Sequence, residues 1–157
     1  MKICCVTGPR EIPKDRDEYV RQALRHEMEQ SIKEGFIGFL SSMLNNVDLE
    51  FAALVTEKKQ EHSELYLEAV IPYADRMESK NKRFKELINQ CGGVKLISQE
   101  RDRDCFFARN RYFIEHSSRV IAVSDGRPKS DTAQIIRMAT ARGLELRIID
   151  ISDNKTE

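Results

Sequence analysis

LSSMLNNVDLEFAALV, residues 40–55, is the stretch on which the fold turns. An apolar run, Phe36 to Leu40, enters a short polar loop, and apolar residues then recur at helical spacing. A strand, a loop and a helix in that order open a crossover unit, because parallel strands need a connection long enough to cross the sheet. The same order is the setting of a phosphate-binding turn. There backbone N–H groups must come close to an anion, and Cβ atoms obstruct them, so such loops normally carry glycine. Residues 41–46, SSMLNN, hold none. The sequence therefore poses a question: is this loop a ligand site, a disabled one, or a plain turn?

The strand–helix alternation extends in both directions. KICCVT at 2–7 predicts a buried strand, and helical spacing follows from Asp15 to Glu34, with Gly35 as its C-cap. After Phe36–Leu40 comes a helix from Val47 to Gln60. LYLEAVI at 65–71 predicts a third strand, and Arg76 to Cys91 read as one helix ended by Gly92-Gly93. VKLIS at 94–98 is a fourth strand, followed by a helix from Cys105 to His116. RVIAV at 119–123, a helix from Thr132 to Arg142 capped by Gly143, and LELRII at 144–149 complete the series. Alternation of this kind predicts a Rossmann-like, three-layer α/β/α fold. Its sheet is mostly parallel with about six strands, in one domain over residues 1–151 and with a frayed tail at 152–157. In such sheets ligands bind beyond the carboxyl ends of the strands. The loops to search are thus 8–14, 41–46, 72–76, 99–104 and 124–131.

Composition narrows the function. Lys plus Arg number 26 and Asp plus Glu number 26, so net charge is zero and no basic excess speaks for nucleic acid. No apolar run approaches a membrane span, and MKICCVTGPR does not read as a signal peptide, so the expectation is a cytoplasmic protein. Cys4, Cys5, Cys91 and Cys105 include no CxxC pair, and no metal or redox cofactor is expected. Cys4 and Cys5, adjacent in a strand, should face opposite ways.

At the first strand end, Thr7-Gly8-Pro9-Arg10 offers a turn and a guanidinium fork suited to phosphate or carboxylate. At the second, Asp48 begins a helix, where its carboxylate suits backbone N–H groups or a ribose hydroxyl. At the third, Tyr73 offers a ring to stack on a base or to cover the sheet edge. Adjacent helical residues point about 100° apart, so Arg109 and Arg111, two apart, cannot share one small target and at most one faces a cleft; the ERDRD run before them reads as a solvated loop. At the fifth, Asp125-Gly126 leads to Ser130-Asp131-Thr132, where Ser130 or Asp131 would be the N-cap.

Together these segments resemble the SLOG superfamily. That Rossmann-like group includes the LOG cytokinin-activating phosphoribohydrolases and the DNA-processing protein DprA. The likeness is strongest to the small YpsA-like bacterial branch. TGPR at 7–10 matches that branch's TGHR, Val47-Asp48 end its strand–loop–Asp element, and IPY stands at 71–73. RNRYFIEHSSRVIAVSDG at 109–126 is similar to the branch's RNRYMVDHSD–IAVYDG pattern. The resemblance spans essentially the whole chain. It implies a nucleotide-type ligand held by Thr7, Gly8, Arg10, Ser42, Asn46, Asp48, Tyr73, Arg109, Asp125, Gly126, Asp131 and Thr132.

The departures carry information too. The family's SGMALGVD loop is here Ser41-Ser42-Met43-Leu44-Asn45-Asn46-Val47-Asp48, with Ser42 and Asn46 in place of glycines. Asn46 is expected to keep the turn, since Asn tolerates positive φ. The family's GGT element is here Ser130-Asp131-Thr132, and Asp131 is expected to occupy the helix N–H groups that would bind phosphate. LOG enzymes carry a catalytic Glu three residues beyond that Thr, where this chain has Ile135, which cannot do acid–base work. The expectation is a non-catalytic or strongly diverged ligand-binding or sensing module. The alternatives are a nucleotide N-glycosidase using another acid, such as Asp48 or Asp125, and a protein-interaction domain with a vestigial pocket. An apolar helix face on an exposed layer would serve a homodimer or a protein partner.

Overall fold

A computed structural model describes residues 1–152. Its strands are β1 (Lys2–Thr7), β2 (Phe36–Ser41), β3 (Tyr66–Ile71), β4 (Gly93–Leu96), β5 (Arg119–Ser124) and β6 (Glu145–Asp150). They form one sheet in the order β4-β3-β2-β1-β5-β6, and every neighbouring pair is parallel. The helices are α1 (Asp17–Lys33), α2 (Asn46–Lys59), α3 (Lys82–Ile88), α4 (Arg103–His116) and α5 (Asp131–Arg142). The fold is the three-layer Rossmann-like one that the alternation predicts. Apart from Ser152, the proposed tail lies outside the described residues.

Two apolar cores fill the layers. One joins α1, α2 and α3 to the sheet through Leu24, Met28, Phe51 and Phe84; Phe39 and Phe51 meet edge to face with ring centroids 5.8 Å apart. The other joins α4 and α5 to the opposite face through Phe113, Ile114, Ile135 and Ala139. Burying such side chains contributes roughly 1.5–3 kcal/mol each. Cys4 belongs to the first core and Cys5 to the second, as strand alternation requires. Burial pushes the Cys5 thiol up to about 12 and raises Cys4 well above its ordinary value, so neither is a thiolate at neutral pH.

Local chemistry sets the helix ends. Ser130 caps α5 by accepting from Ala133 N–H at 3.0 Å, and Gly143 closes it at φ 72°. The expected helix from Arg76 to Cys91 is instead broken. Ala74–Glu78 form a 3-10 turn, Ser79 leaves it with ψ 139°, and the Asn81 side chain accepts from Phe84 N–H at 2.9 Å to start α3 afresh. An Asn side chain competing for the backbone stops one helix and begins the next; helical periodicity alone does not register that.

β1 lies between β2 and β5, and strand order reverses there. The chain leaves β1 toward the α1 layer and leaves β5 toward the α5 layer. Connections departing to opposite faces open a crevice at the carboxyl edge, which is where sheets of this kind hold ligands.

Candidate functional site

The crevice is a cleft of about 850 Å³, within the usual range for small-molecule sites. All five strand-end loops reach it. Gly8, Pro9 and Arg10 come from the loop after β1, and Leu44 and Asn45 from the loop after β2. Tyr73 and Arg76 follow β3. Arg101, Arg103, Phe106 and Phe107 follow β4, and Asp125, Arg127, Lys129, Ser130, Asp131 and Thr132 follow β5, with Gln134 and Arg137 beyond.

Gly8 forms the base of this cleft. A Cβ there would meet the Val47 side chain at 2.7–2.8 Å, so glycine is required by close packing of the β1 loop on α2 rather than by a positive φ. Thr7 and Thr132 hydroxyls lie 3.4 Å apart, tying the start of α5 to the end of β1. The glycine-free loop after β2 is held from within. Asp48 Oδ2 accepts from Leu44 N–H at 3.0 Å and Asn45 N–H at 3.2 Å, while Asn45 Oδ1 accepts from Asp48 N–H at 3.0 Å. This reciprocal capping box shapes the loop. Asn45 Nδ2 also donates to the Gly8 carbonyl at 3.1 Å, joining the first two strand ends. Met43, with φ 58°, takes the left-handed position expected of Asn46; Asn46 is instead the first residue of α2. The Met43 carbonyl accepts from Arg76 Nε at 2.8 Å and Nη2 at 2.5 Å, which steadies the strained turn.

Arg109 lies beneath the floor, and its neighbour Arg111 is turned to solvent. Arg109 Nη1 donates to Ser42 Oγ at 2.7 Å, Nε donates to Asn110 Oδ1 at 2.8 Å, and Nη2 is ion-paired with Asp131. Asn110 Nδ2 donates to Asp131 Oδ1 at 2.9 Å and to Gln134 Oε1 at 2.7 Å. Asp131 therefore does not take up the helix N–H groups as the sequence suggested. Ser130 caps the helix, and Asp131, at its first position, neutralises a buried arginine.

The sequence-derived residues thus divide. Gly8, Arg10, Tyr73, Asp125, Asp131 and Thr132 line the cleft. Thr7, Ser42, Asp48 and Arg109 are buried behind it and brace the loops, Asn46 starts α2, and Gly126 turns its loop at φ 84°. Burial pushes Asp48 up to about 6, against the lowering by Arg109 and by its backbone hydrogen bonds. Sequence reading missed Asn45, Arg76, Arg101, Arg103, Phe106, Phe107, Arg127, Lys129 and Arg137. For most of them the one legible signal was position near a strand end: two of the five residues of the supposedly solvated ERDRD run, Arg101 and Arg103, line the cleft.

Charge and aromaticity define the chemistry. Seven cationic side chains line the cleft against two carboxylates, although the chain as a whole is neutral. Asp125 is already engaged, accepting from Arg127 N–H at 3.1 Å and facing Arg127 Nε at 3.4 Å. Among the described residues the side chains of Arg10, Arg103 and Lys129 have no hydrogen bond, ion pair or ring contact. Tyr73 and Phe106 stand edge to face at 6.1 Å, with the Arg101 guanidinium 5.2 Å from the Tyr73 ring. Such a lining fits an anionic ligand with a planar part. Among the described residues no three His, Cys, Asp or Glu side chains gather as a metal ion would need, and no helix is long and apolar enough to cross a membrane.

A parallel sheet with a polar cleft at its strand-order reversal defines a Rossmann-like architecture. Residues 12–154 match the model of the YspA SLOG family, and the chain belongs to that family. UPF0398 proteins of Bacillus thuringiensis (strain Al Hakam) and Bacillus cereus (strain AH187) are each 26% identical over 156 residues, covering 91% of this chain and 85% of theirs. The X-ray structure of TM1055, a structural-genomics target, superposes with a TM-score of 0.58 at 18% identity. It covers 93% of this chain and 72% of its own, a likeness of fold.

Proposed function

We propose that the cleft binds a nucleotide-type, phosphate-bearing ligand and that the protein acts as a binding or sensing module without turning that ligand over. The observation carrying this reading is the basic, aromatic cleft itself, placed where the strand order reverses. Its cations favour phosphate, and Tyr73 with Phe106 offers faces and edges to a base.

The reading without catalysis is supported by what the carboxylates do. Ile135, in place of the LOG acid, is packed among Cys5, Phe113 and Ala122. Asp131 is paired with Arg109, Asp125 with Arg127, and Asp48 lies behind the cleft in its capping box. None of the three is placed as a free acid–base group beside a ligand.

A thermal-shift panel of nucleoside monophosphates, NAD, ADP-ribose and cyclic nucleotides tests the proposal. Ligand at 100 times its dissociation constant should add about 2.7 kcal/mol, a rise of several degrees for a domain of this size. Arg10→Ala should abolish the shift, and no free base should appear on prolonged incubation. A panel without any shift would reject the nucleotide reading, and release of base would reject the absence of turnover.

A further inference from the structure

Within that nucleotide reading, the charges of the cleft speak to how many phosphates its ligand carries. Arg10, Lys129 and Arg103 enter from the loops after β1, β5 and β4, and none has a partner among the described residues. Arg127 and Arg137 add further positive charge. Arg127 shares Asp125, and Arg137 donates only to the Pro128 carbonyl, at 3.0 Å, which leaves its charge unbalanced. A single phosphate monoester brings about −1.5 to −2 at pH 7. That charge matches at most two of these cations and leaves others facing one another across the cleft, where like charges repel.

Asp131 adds a second constraint. Its half-exposed carboxylate lines the cleft at the first position of α5 and is held there by Arg109 and Asn110. A lone phosphate approaching the start of α5 meets this carboxylate first. A longer anion running along the Arg10, Lys129 and Arg103 side avoids it.

We infer that the cleft selects a ligand bearing a chain of phosphates, at least two and best three, over a nucleoside monophosphate, and that Asp131 helps set this preference. The inference rests on the nucleotide reading above for the ligand's organic part, but its phosphate part stands separately.

Isothermal titration with AMP, ADP, ATP, GTP and inorganic tripolyphosphate, without magnesium and at low and high salt, separates the two. The expected result is an affinity at least tenfold higher for ATP or GTP than for AMP, falling with salt, and displacement of ATP by tripolyphosphate. The double variant Arg103→Gln, Lys129→Gln should weaken ATP about tenfold and change AMP less than twofold; circular dichroism confirms that the variant is folded. Equal affinity for AMP and ATP would overturn the phosphate-chain inference and leave the nucleotide reading intact. Tripolyphosphate binding as tightly as either triphosphate would overturn the nucleotide reading and uphold the chain. Failure of all five to bind the folded protein would overturn both.

Discussion

Arg109 and Arg119 each bury a guanidinium, at opposite ends of the molecule, and they are balanced differently. Arg119 opens β5 at the amino edge of the sheet, 2% exposed. It is ion-paired with both Glu34 and Glu145, donates to Ser31 Oγ at 3.0 Å, and stands 4.4 Å over the Phe36 ring. Arg109, 4% exposed, has one carboxylate, Asp131, with Ser42 and Asn110 supplying neutral oxygens. The amino end closes its buried arginine with two carboxylates, of which Glu145 also faces Arg147 at 3.5 Å. The carboxyl end has a single ion pair on its buried arginine and, above it, a cleft in which Arg10, Arg103 and Lys129 have no partner among the described residues. The two ends thus balance their buried arginines differently, and the large cleft lies at the carboxyl one.

The largest expected effect follows from that single partner. Asp131→Ala removes the one ion pair on the buried Arg109 and leaves it only the attraction of Asp48, and breaking such a pair typically costs about 3–5 kcal/mol. Because Asp131 is 44% exposed and water can reach the gap, we expect the low end, about 3 kcal/mol, by denaturant unfolding. Millimolar phosphate or ATP should restore much of it by taking the vacant place, and the preference for ATP over AMP should narrow. An Asp131→Ala protein as stable as the wild type, or indifferent to phosphate, would remove the distinction between the ends.

The pH dependence comes next, and the two ends should oppose each other. Burial raises Asp48 from 3.8 to about 6. Between those values the folded state holds more proton than the unfolded, so stability falls as pH rises from about 4 to 6, by roughly 2–3 kcal/mol in all. Glu34 is the reverse case: the hydrogen bond from Arg119 lowers its pKa from 4.5. Its contribution is present above 4.5 and is lost as pH falls through the lowered value. Unfolding midpoints in urea from pH 3 to 7 should show a decline toward pH 6 that Asp48→Asn flattens. The same loss in both proteins would mean that Asp48 titrates normally.

Much of the fold was legible because hydrophobic period and helix caps act over short stretches of chain. KICCVT, FIGFL and RVIAV read as buried strands, and the alternation with helices fixed a parallel sheet. The site was legible only as a set of loops. Asp131 looked like a cap because Ser130 and Asp131 are both good caps; only the fold shows that α4 brings Arg109 beneath Asp131 and leaves Ser130 the N–H groups. Arg101 and Arg103 looked solvated because ERDRD alternates charge, and which of its residues face the cleft depends on where α4 docks. The positive φ fell to Met43 rather than Asn46, because Asn45 and Asp48 close the capping box and Asn46 must then be helical.

The smallest expected effect is at the amino end. Glu145→Gln leaves Arg119 still paired with Glu34, and Glu145 is 46% exposed, so water rehydrates what is lost. The cost should be about 1 kcal/mol or less. Phosphate should not alter it, because Glu34 stays on Arg119, and its carboxylate repels an approaching anion. Removing one acid from each end thus asks the same question of both arginines. If Glu145→Gln cost as much as Asp131→Ala, or if phosphate stabilised both variants equally, pairing at the carboxyl end would be no thinner than at the amino end, and the cleft's cations would be ordinary surface charge.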